Sequence, residues 1–425
     1  MNTNKIQIAV IGLGYVGLPL AVSLSQHYPV IGFDKSLARI NDLNRSIDRT
    51  NECSPTVIKN ANIVFTTDIS QASHCNIYII TVPTPVDRLN KPDLEAIILA
   101  SETVSKVLEK NDVVVFESTV YPGVTEEVAG PVLEKGSGLV SGHNFFLGYS
   151  PERVNPGDKH HSVTNIPKVV SGQNQLVIEA LSKIYGSINN NQVFIAKSIK
   201  VAEAAKVIEN AQRDINIAFI NEVTMIFSKM NIKTSEVLEV AKTKWNFLDF
   251  YPGLVGGHCI GVDPFYLAYA AREVGYNPEV ILAGRKINDS FSKFLAEQID
   301  GALGYKKKTR ILILGLTFKE NVPDLRNSKV FDLIKSLRDR KYTVDVHDPL
   351  ASREEARQIF SIDLITDLEK VKPYDCIVGA VPHAQYKTLK LRQLNKLLKP
   401  RGLLADLKGI WRTQKLTNNF RILEL

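Results

Sequence analysis

The chain is poor in the residues that build disulfide or metal scaffolds. Its four cysteines, Cys53, Cys75, Cys259 and Cys376, stand far apart in 425 residues, with no CxxC and no Cys/His set at metal-ligand spacing. Reduced thiols, a cytoplasmic location and no metal are expected. A long unbroken hydrophobic run is lacking too. Ile6 to His27 carries no Asp, Glu, Lys or Arg, but Gly12, Gly14, Gly17 and Pro19 interrupt it, which suits a strand, a turn and a helix start rather than a membrane span. Lys5 leads straight into this segment without a small-residue cleavage site, so no signal peptide is expected. A concentrated basic patch is also missing. The formal charge of +7 is dispersed, and Lys306-Lys307-Lys308 is a single short run, read as a solvated surface, so neither nucleic acid nor membrane is an expected partner.

What is present is an ordinary globular composition, 44% hydrophobic and 23% charged, over a length that calls for two or three domains. Residues 6–11 read as a buried strand, followed by Gly12-Leu13-Gly14-Tyr15-Val16-Gly17 and an apolar helix from Leu18 to Ser25. This is a dinucleotide fingerprint in its required context. Gly12 permits the tight turn, Gly14 lets a pyrophosphate approach the backbone, Gly17 lets helix and strand close up, and the helix start offers free N–H groups. A second strand, Val30 to Phe33, ends at Asp34, placed to accept from the adenosine ribose hydroxyls and to repel a 2′-phosphate, so NAD is the expected cofactor. Lys35 and Arg39 soften that preference; Arg39 is equally suited to stack on adenine or touch the pyrophosphate.

The alternation continues with a strand at 76–82 ending in Pro83-Thr84-Pro85, a helix at 93–108, and a strand at 112–116 ending in Glu117-Ser118-Thr119. Ligands of open parallel sheets sit beyond the carboxyl ends of strands. Thr84 and Thr119 therefore fall on the cofactor rim, unless their hydroxyls merely cap the following turns. A strand at 145–149 leads into the polar loop Ser150 to Asp158, where Glu152 takes the place of a catalytic acid or base, or else is a loop charge paired with Arg153.

From Lys197 to Met230 there is no glycine or proline, and Val201, Ala205, Ile208, Gln212, Ile215, Phe219 and Ile226 recur at helical spacing, so one long helix follows, of a length that crosses between domains or lines a dimer interface. Lys206 and Asn210 stack on one face, with Glu203 and Arg213 expected on the same stripe. A second helical segment, 234–243, precedes an aromatic stretch from Trp245 to Tyr251, then Pro252-Gly253 and the loop Gly256-Gly257-His258-Cys259-Ile260-Gly261-Val262-Asp263. A lone cysteine is most often a small buried apolar group, but glycines on both sides and a carboxylate four residues on suit a nucleophile loop approached by a ligand. The last third, beyond Gly301 to Thr309, reads as a second parallel α/β unit with strands at 310–314, 343–346, 375–381 and 402–406 and no GxGxxG.

Taken together, Gly12-x-Gly14-x-x-Gly17, Ser118-Thr119 with Pro122-Gly123, Pro151-Glu152, Lys206 with Asn210, Gly256-Gly257-x-Cys259 with Asp263, and Lys319 with Arg326 occur in an order that resembles the UDP-sugar 6-dehydrogenases, the family of UDP-glucose and GDP-mannose dehydrogenases. The resemblance spans nearly the whole chain. It implies two doubly wound parallel-sheet (Rossmann-like) α/β domains joined by a central all-helical domain with a long connecting helix: residues 1–196 binding NAD, 197–300 carrying the cysteine loop and dimerising, and 301–425 holding the UDP-sugar. UDP-glucose enzymes usually place Ser before the cysteine and a Lys-Asp pair after it, whereas here His258 precedes and Val262 replaces the lysine. The chain is thereby similar to the branch acting on UDP-N-acetylhexosamines, UDP-GlcNAc or UDP-GalNAc, in bacterial surface-polysaccharide synthesis.

The roles that the resemblance implies are a Cys259 nucleophile, Lys206 and Asn210 as oxyanion donors with Lys206 favouring the thiolate, Thr119 and Asp263 positioning water, and Glu152 as base in thioester hydrolysis. Gly12, Gly14, Tyr15, Val16, Gly17, Asp34, Arg39, Thr84, Thr119 and Arg326 would hold the cofactor. Glu152, Arg153, Val154, Asn155, Lys206, Asn210, Tyr251, Gly253, Gly256, Lys319 and Lys408 would hold the substrate. Other readings stay open: a UDP-glucose 6-dehydrogenase, a two-electron dehydrogenase with a structural Cys259, or a non-catalytic module binding NAD and UDP-sugar.

Overall fold

The computed structural model describes residues 6–154, 163–257, 259–306, 309–412 and 420–425. The first sheet contains β1 (Ile8–Ile11), β2 (Val30–Phe33), β3 (Ile63–Thr66), β4 (Ile77–Ile80), β5 (Val113–Phe116), β6 (Phe146–Tyr149), β7 (Lys168–Gly172) and β8 (Val193–Ile195). Their order is β3-β2-β1-β4-β5-β6-β7-β8. The first six run parallel in the dinucleotide-fold order, which reverses between β1 and β4. Helices cover both faces, which is why β1, β2, β4 and β5 are short runs of wholly buried residues. The parallel expectation ends at β7, which pairs antiparallel with β6. Ser171 fixes that junction by donating its hydroxyl to the Tyr149 carbonyl at 2.9 Å.

The second sheet contains β9 (Arg310–Leu314), β10 (Thr343–His347), β11 (Leu364–Ile365), β12 (Tyr374–Gly379), β13 (Leu398–Asp406) and β14 (Arg421–Glu424). It repeats the same order, β11-β10-β9-β12-β13-β14, and is parallel throughout. The two sheets are thus Rossmann-like, and the chain between them is helical: Ile199–Lys229, Thr234–Ala241, Asp263–Glu273 and Glu279–Leu303. Packing divides the chain into two compact units, Met1–Glu209 with Phe265–Asn277, and Asn210–Pro264 with Pro278–Leu425. No helix among the described residues is long and apolar enough to cross a membrane.

The long helix Ile199–Lys229 has an unusual distribution of polarity. Its apolar residues Val201, Ile208, Phe219 and Ile226 are each about half exposed, whereas Glu203, Lys206, Asn210, Asp214 and Asn221 are buried. The expected polar stripe is therefore real, but it continues through Asp214 and Asn221, and Arg213 is exposed. The cause is local: each of Glu203, Asp214 and Asn221 finds hydrogen-bond partners within its own unit, which removes the penalty of burying a polar group.

Candidate active site

The fingerprint loop is held by its own packing. Gly12 has φ +95°, a conformation that disfavours any side chain, and a Cβ on Gly17 would lie 1.8 Å from the Gly12 carbonyl oxygen. Gly14 is exposed, with nothing within 4 Å of where its Cβ would be, so the backbone there is open to a ligand. Thr81, at the end of β4, donates to the Gly12 carbonyl at 2.6 Å. Asp34 accepts from the Leu13 N–H with one oxygen and from the Ser36 N–H with the other, both at 2.9 Å. Arg39 donates its Nε to the Leu13 carbonyl at 2.8 Å and pairs with the buried Asp48 at 2.9 Å. Its guanidinium is thereby tied to the loop. An open Gly14, a helix start at Gly17 and a strand-end carboxylate fit NAD: Gly14 and the helix N–H groups would receive the pyrophosphate and Asp34 the ribose.

Thr84 and Thr119 are both half-buried beyond the ends of β4 and β5. Ser118 links these strand ends by donating to the Val82 carbonyl at 2.6 Å. Glu203 is engaged by the loop that follows β5. It accepts from the Gly123 N–H at 2.6 Å and the Thr125 N–H at 2.9 Å, and so fixes the turn that follows Thr119.

Glu152 follows β6 and belongs to a buried charge cluster. One of its oxygens accepts from the Arg153 and Val154 N–H groups at 2.7 and 2.6 Å. The other accepts from Lys168 Nζ at 2.9 Å, and Lys168 also donates to Glu117 at 2.7 Å. The second Glu117 oxygen accepts from the Tyr185 hydroxyl at 2.6 Å. Burial disfavours every charge here, yet Lys168 and the two backbone donors hold the Glu152 carboxyl below its ordinary range, whereas burial keeps Glu117 above its own. Arg153 is paired with Glu209 at 3.0 Å rather than with Glu152. Asn155 and His258 lie outside the described residues.

In the second unit, Cys259 is exposed, and its carbonyl accepts from the Val262 and Asp263 N–H groups at 3.0 and 2.8 Å, starting the helix Asp263–Glu273. Asn210 donates its side-chain amide to the buried Asp263 carboxylate at 2.5 Å. The glycines before Cys259 are demanded by the protein itself. Gly257 has φ +85°, and a Cβ there would lie 2.7 Å from the Phe318 ring, while one on Gly256 would lie 2.5 Å from the Asn327 carbonyl oxygen. Asn327 also donates its side-chain amide to the Gly257 carbonyl at 2.9 Å. Gly253 is bracketed by Asn221 at 2.8 and 3.0 Å, and a Cβ on it would meet Lys408 Nζ at 2.0 Å. Gly253 and Lys408 are thus adjacent. Tyr251 is engaged by Lys242, whose ammonium also pairs with Asp249 at 3.0 Å, and Arg326 is paired with Asp324 at 2.7 Å. Lys319 is half-buried, its carbonyl accepting from the Thr317 hydroxyl at 2.9 Å.

The candidate catalytic residues are therefore distributed, with Thr119, Glu152 and Lys206 in the first unit and Asn210, Cys259 and Asp263 in the second. Thr81, Glu117, Lys168, Tyr185, Asn221 and Asn327 support the candidate site residues without being expected from the sequence. Of these only Lys168 leaves a visible signal, a lysine opening the apolar strand Lys168–Gly172.

Sheet order, fingerprint and strand-end acid define a dinucleotide-binding protein. The chain belongs to the UDP-glucose/GDP-mannose dehydrogenase family: residues 6–189 match its NAD binding domain, 200–290 its central domain and 312–413 its UDP binding domain. It is an NAD-dependent UDP-sugar dehydrogenase. It is 51% identical over 429 residues to Protein CapL of Staphylococcus aureus, covering 100% of both chains. It is 48% identical over 410 residues to UDP-N-acetyl-D-glucosamine 6-dehydrogenase of Pseudomonas aeruginosa, covering 95% of this chain and 97% of that one. The solved structure of a UDP-D-ManNAc dehydrogenase from Pyrococcus horikoshii superposes with a TM-score of 0.87 at 27% identity, over 98% of this chain and 99% of that one.

Proposed function

We propose that the protein oxidises the C6 hydroxyl of a UDP-N-acetylhexosamine to a carboxylate, consuming two NAD per sugar and supplying a precursor for surface polysaccharide. Supporting the N-acetyl substrate are the identities of 48% and 47% to two enzymes named UDP-N-acetyl-D-glucosamine 6-dehydrogenase, against 31% or less to proteins named for N-acetylmannosamine or N-acetylgalactosaminuronic acid. UDP-GlcNAc is accordingly the first substrate to try, and UDP-GalNAc the second.

The observation that carries the reading is an exposed cysteine on a rigid glycine loop beside a buried Asn210–Asp263 pair. Bound NAD supplies the hydride acceptor at both oxidation stages. After the first stage, the Cys259 thiolate adds to the C6 aldehyde, and the sulfur–carbon bond gives a thiohemiacetal. Lys206 and Asn210 donate to its oxyanion. Once that adduct is oxidised to the thioester, a water oriented by Asp263 and Thr119 bonds to the acyl carbon and loses its proton to Glu152. The carbon–sulfur bond then breaks, releasing the acid and the Cys259 thiolate.

Lys319, Lys408, Arg153, Val154, Asn155, Tyr251, Gly253 and Gly256 are the substrate contacts in this reading, and Tyr15, Val16, Thr84 and Arg326 join the fingerprint in holding NAD. The domains are 1–196, 197–300 and 301–425. The exposed apolar residues of the long helix, Val201, Ile208, Phe219 and Ile226, support a homodimer formed through it, and four cysteines spaced far apart in the sequence with no CxxC pattern support a cytoplasmic location. Steady-state rates with UDP-GlcNAc, UDP-GalNAc, UDP-ManNAc and UDP-glucose test the substrate assignment. The expected order has an N-acetylhexosamine first, and a preference for UDP-glucose would overturn it.

A further inference from the structure

The first unit buries a lysine that no step of this reaction uses. Lys168 opens β7, the strand at which the sheet turns antiparallel, and its side chain is 2% exposed. An ammonium so far from water costs several kcal/mol unless it is fully paired. Here it lies between two carboxylates, 2.7 Å from Glu117 and 2.9 Å from Glu152. The Tyr185 hydroxyl donates to the remaining Glu117 oxygen at 2.6 Å, and its ring lies 5.2 Å from the ammonium. Two carboxylates and one lysine leave one negative charge in excess.

That excess has a defined outlet. Glu117 is sealed at 0% exposure, whereas Glu152 is 10% exposed and follows β6 at its carboxyl end, where ligands of such sheets bind. Three donors, Lys168 and the Arg153 and Val154 N–H groups, fix both Glu152 oxygens. The neighbouring cation Arg153 is drawn away by Glu209 and by the Pro167 carbonyl, so it does not neutralise Glu152. A cluster needed only for stability would be served as well by apolar residues of the same volume. We propose that Lys168 is a positioning residue which, braced by Glu117 and Tyr185, presents Glu152 as an oriented anion for release of the acyl group from Cys259.

The inference rests on Glu152 being the hydrolytic base. Lys168 itself touches no reacting atom. It sets the orientation of Glu152 and the pH at which Glu152 takes a proton, in balance with Glu117, which competes for the same ammonium. The two neighbours therefore act in opposite directions. Removing Lys168 raises the pH at which Glu152 protonates. Removing the charge of Glu117 leaves Lys168 to Glu152 alone and lowers it.

The experiment compares kcat, KM and the pH profile of Lys168→Met, Lys168→Arg, Glu117→Gln and Glu152→Gln with UDP-GlcNAc and NAD, and weighs the quenched enzymes by intact mass. Expected for Lys168→Met is a loss in kcat of about tenfold or more, since a positioned base contributes about 10²–10⁴, with KM little changed. Its acid limb moves to higher pH, and acylated Cys259 accumulates. Lys168→Arg recovers part of kcat. Glu117→Gln, nearly isosteric, keeps the Lys168 bond through its carbonyl oxygen and turns its amide to donate to the Tyr185 hydroxyl; it moves the acid limb to lower pH, and this arm stands even if Lys168→Met fails to fold. An acid limb that stays in place in Glu117→Gln overturns the inference, as does unchanged kcat in folded Lys168→Met. If Glu152→Gln slows acyl release while the Lys168 and Glu117 variants behave as wild type, the inference alone fails. If Glu152→Gln leaves acyl release unchanged, the role of Glu152 fails and the inference falls with it.

Discussion

Asn327 grips Gly257 from both directions: its carbonyl oxygen accepts from the Gly257 N–H at 3.3 Å and its side-chain amide donates to the Gly257 carbonyl at 2.9 Å. Asn327 itself has φ +51°, a conformation asparagine tolerates better than most residues. The pair anchors the loop two residues before Cys259 to the start of the helix Lys329–Asp339 in the second Rossmann-like fold.

Gly257→Ala should therefore be costly. The left-handed backbone carries about 1–2 kcal/mol against any Cβ, and the methyl would meet the Phe318 ring at 2.7 Å, adding about 1–3 kcal/mol of overpacking. A fall in urea-unfolding stability of about 2–5 kcal/mol is expected, the sum of those two effects. Asn327→Ala, which removes one hydrogen bond and puts alanine in the left-handed backbone that asparagine tolerates better, should cost more than about 1 kcal/mol and lower kcat.

Gly14 and Gly17 separate ligand binding from folding. Gly14→Ala meets nothing within 4 Å, so the melting temperature should stay within a few degrees while KM for NAD rises about tenfold or more, as for a lost backbone approach of roughly 1.4 kcal/mol. Gly17→Ala would place a methyl 1.8 Å from the Gly12 carbonyl oxygen, and thermal unfolding should show the loss directly.

The sequence shows the repeating strand-helix plan, the fingerprint and the long helix, because each depends on local spacing: the glycine triplet between a strand and a helix, and 3.6-residue periodicity without glycine or proline. It does not show which face of the long helix is buried. Val201, Ile208, Phe219 and Ile226 look like a core stripe, yet the buried side is the one carrying Glu203, Lys206, Asn210, Asp214 and Asn221. Their partners Gly123, Arg285 and Gly253 are remote in sequence. The same holds for Lys168, whose carboxylates come from two other strand ends. The loop glycines were legible as special, but their reason, the approach of Asn327 and Phe318, was not.

The second fold contains a pH-sensitive acid. Asp348 is buried, which works against its charge. His383 at 3.1 Å and the Leu316 and Thr317 N–H groups at 2.6 and 3.0 Å more than offset this, holding its carboxyl down at about 2. Because the folded value is depressed, its contribution is present above the unfolded value near 4 and is lost as pH falls from about 4 toward about 2. At neutral pH, Asp348→Asn should lower unfolding stability by about 2 kcal/mol, and its stability should fall less steeply than that of wild type between pH 4 and pH 2.

The dimer proposal predicts that Phe219→Glu, a change at a position already 59% exposed, leaves a folded chain but halves the mass measured by light scattering. A wild-type protein that scatters as a monomer contradicts it.

The central claim is an oxidation through Cys259 that consumes two NAD, and its most direct measurement is NADH formed per sugar consumed, with the product identified by mass. With limiting UDP-GlcNAc, wild type should give two NADH and the uronic acid, and Cys259→Ser, altered only at an exposed thiol, should fold normally and form no acid at that ratio. One NADH per sugar in wild type, or two NADH with acid in Cys259→Ser, would contradict the account.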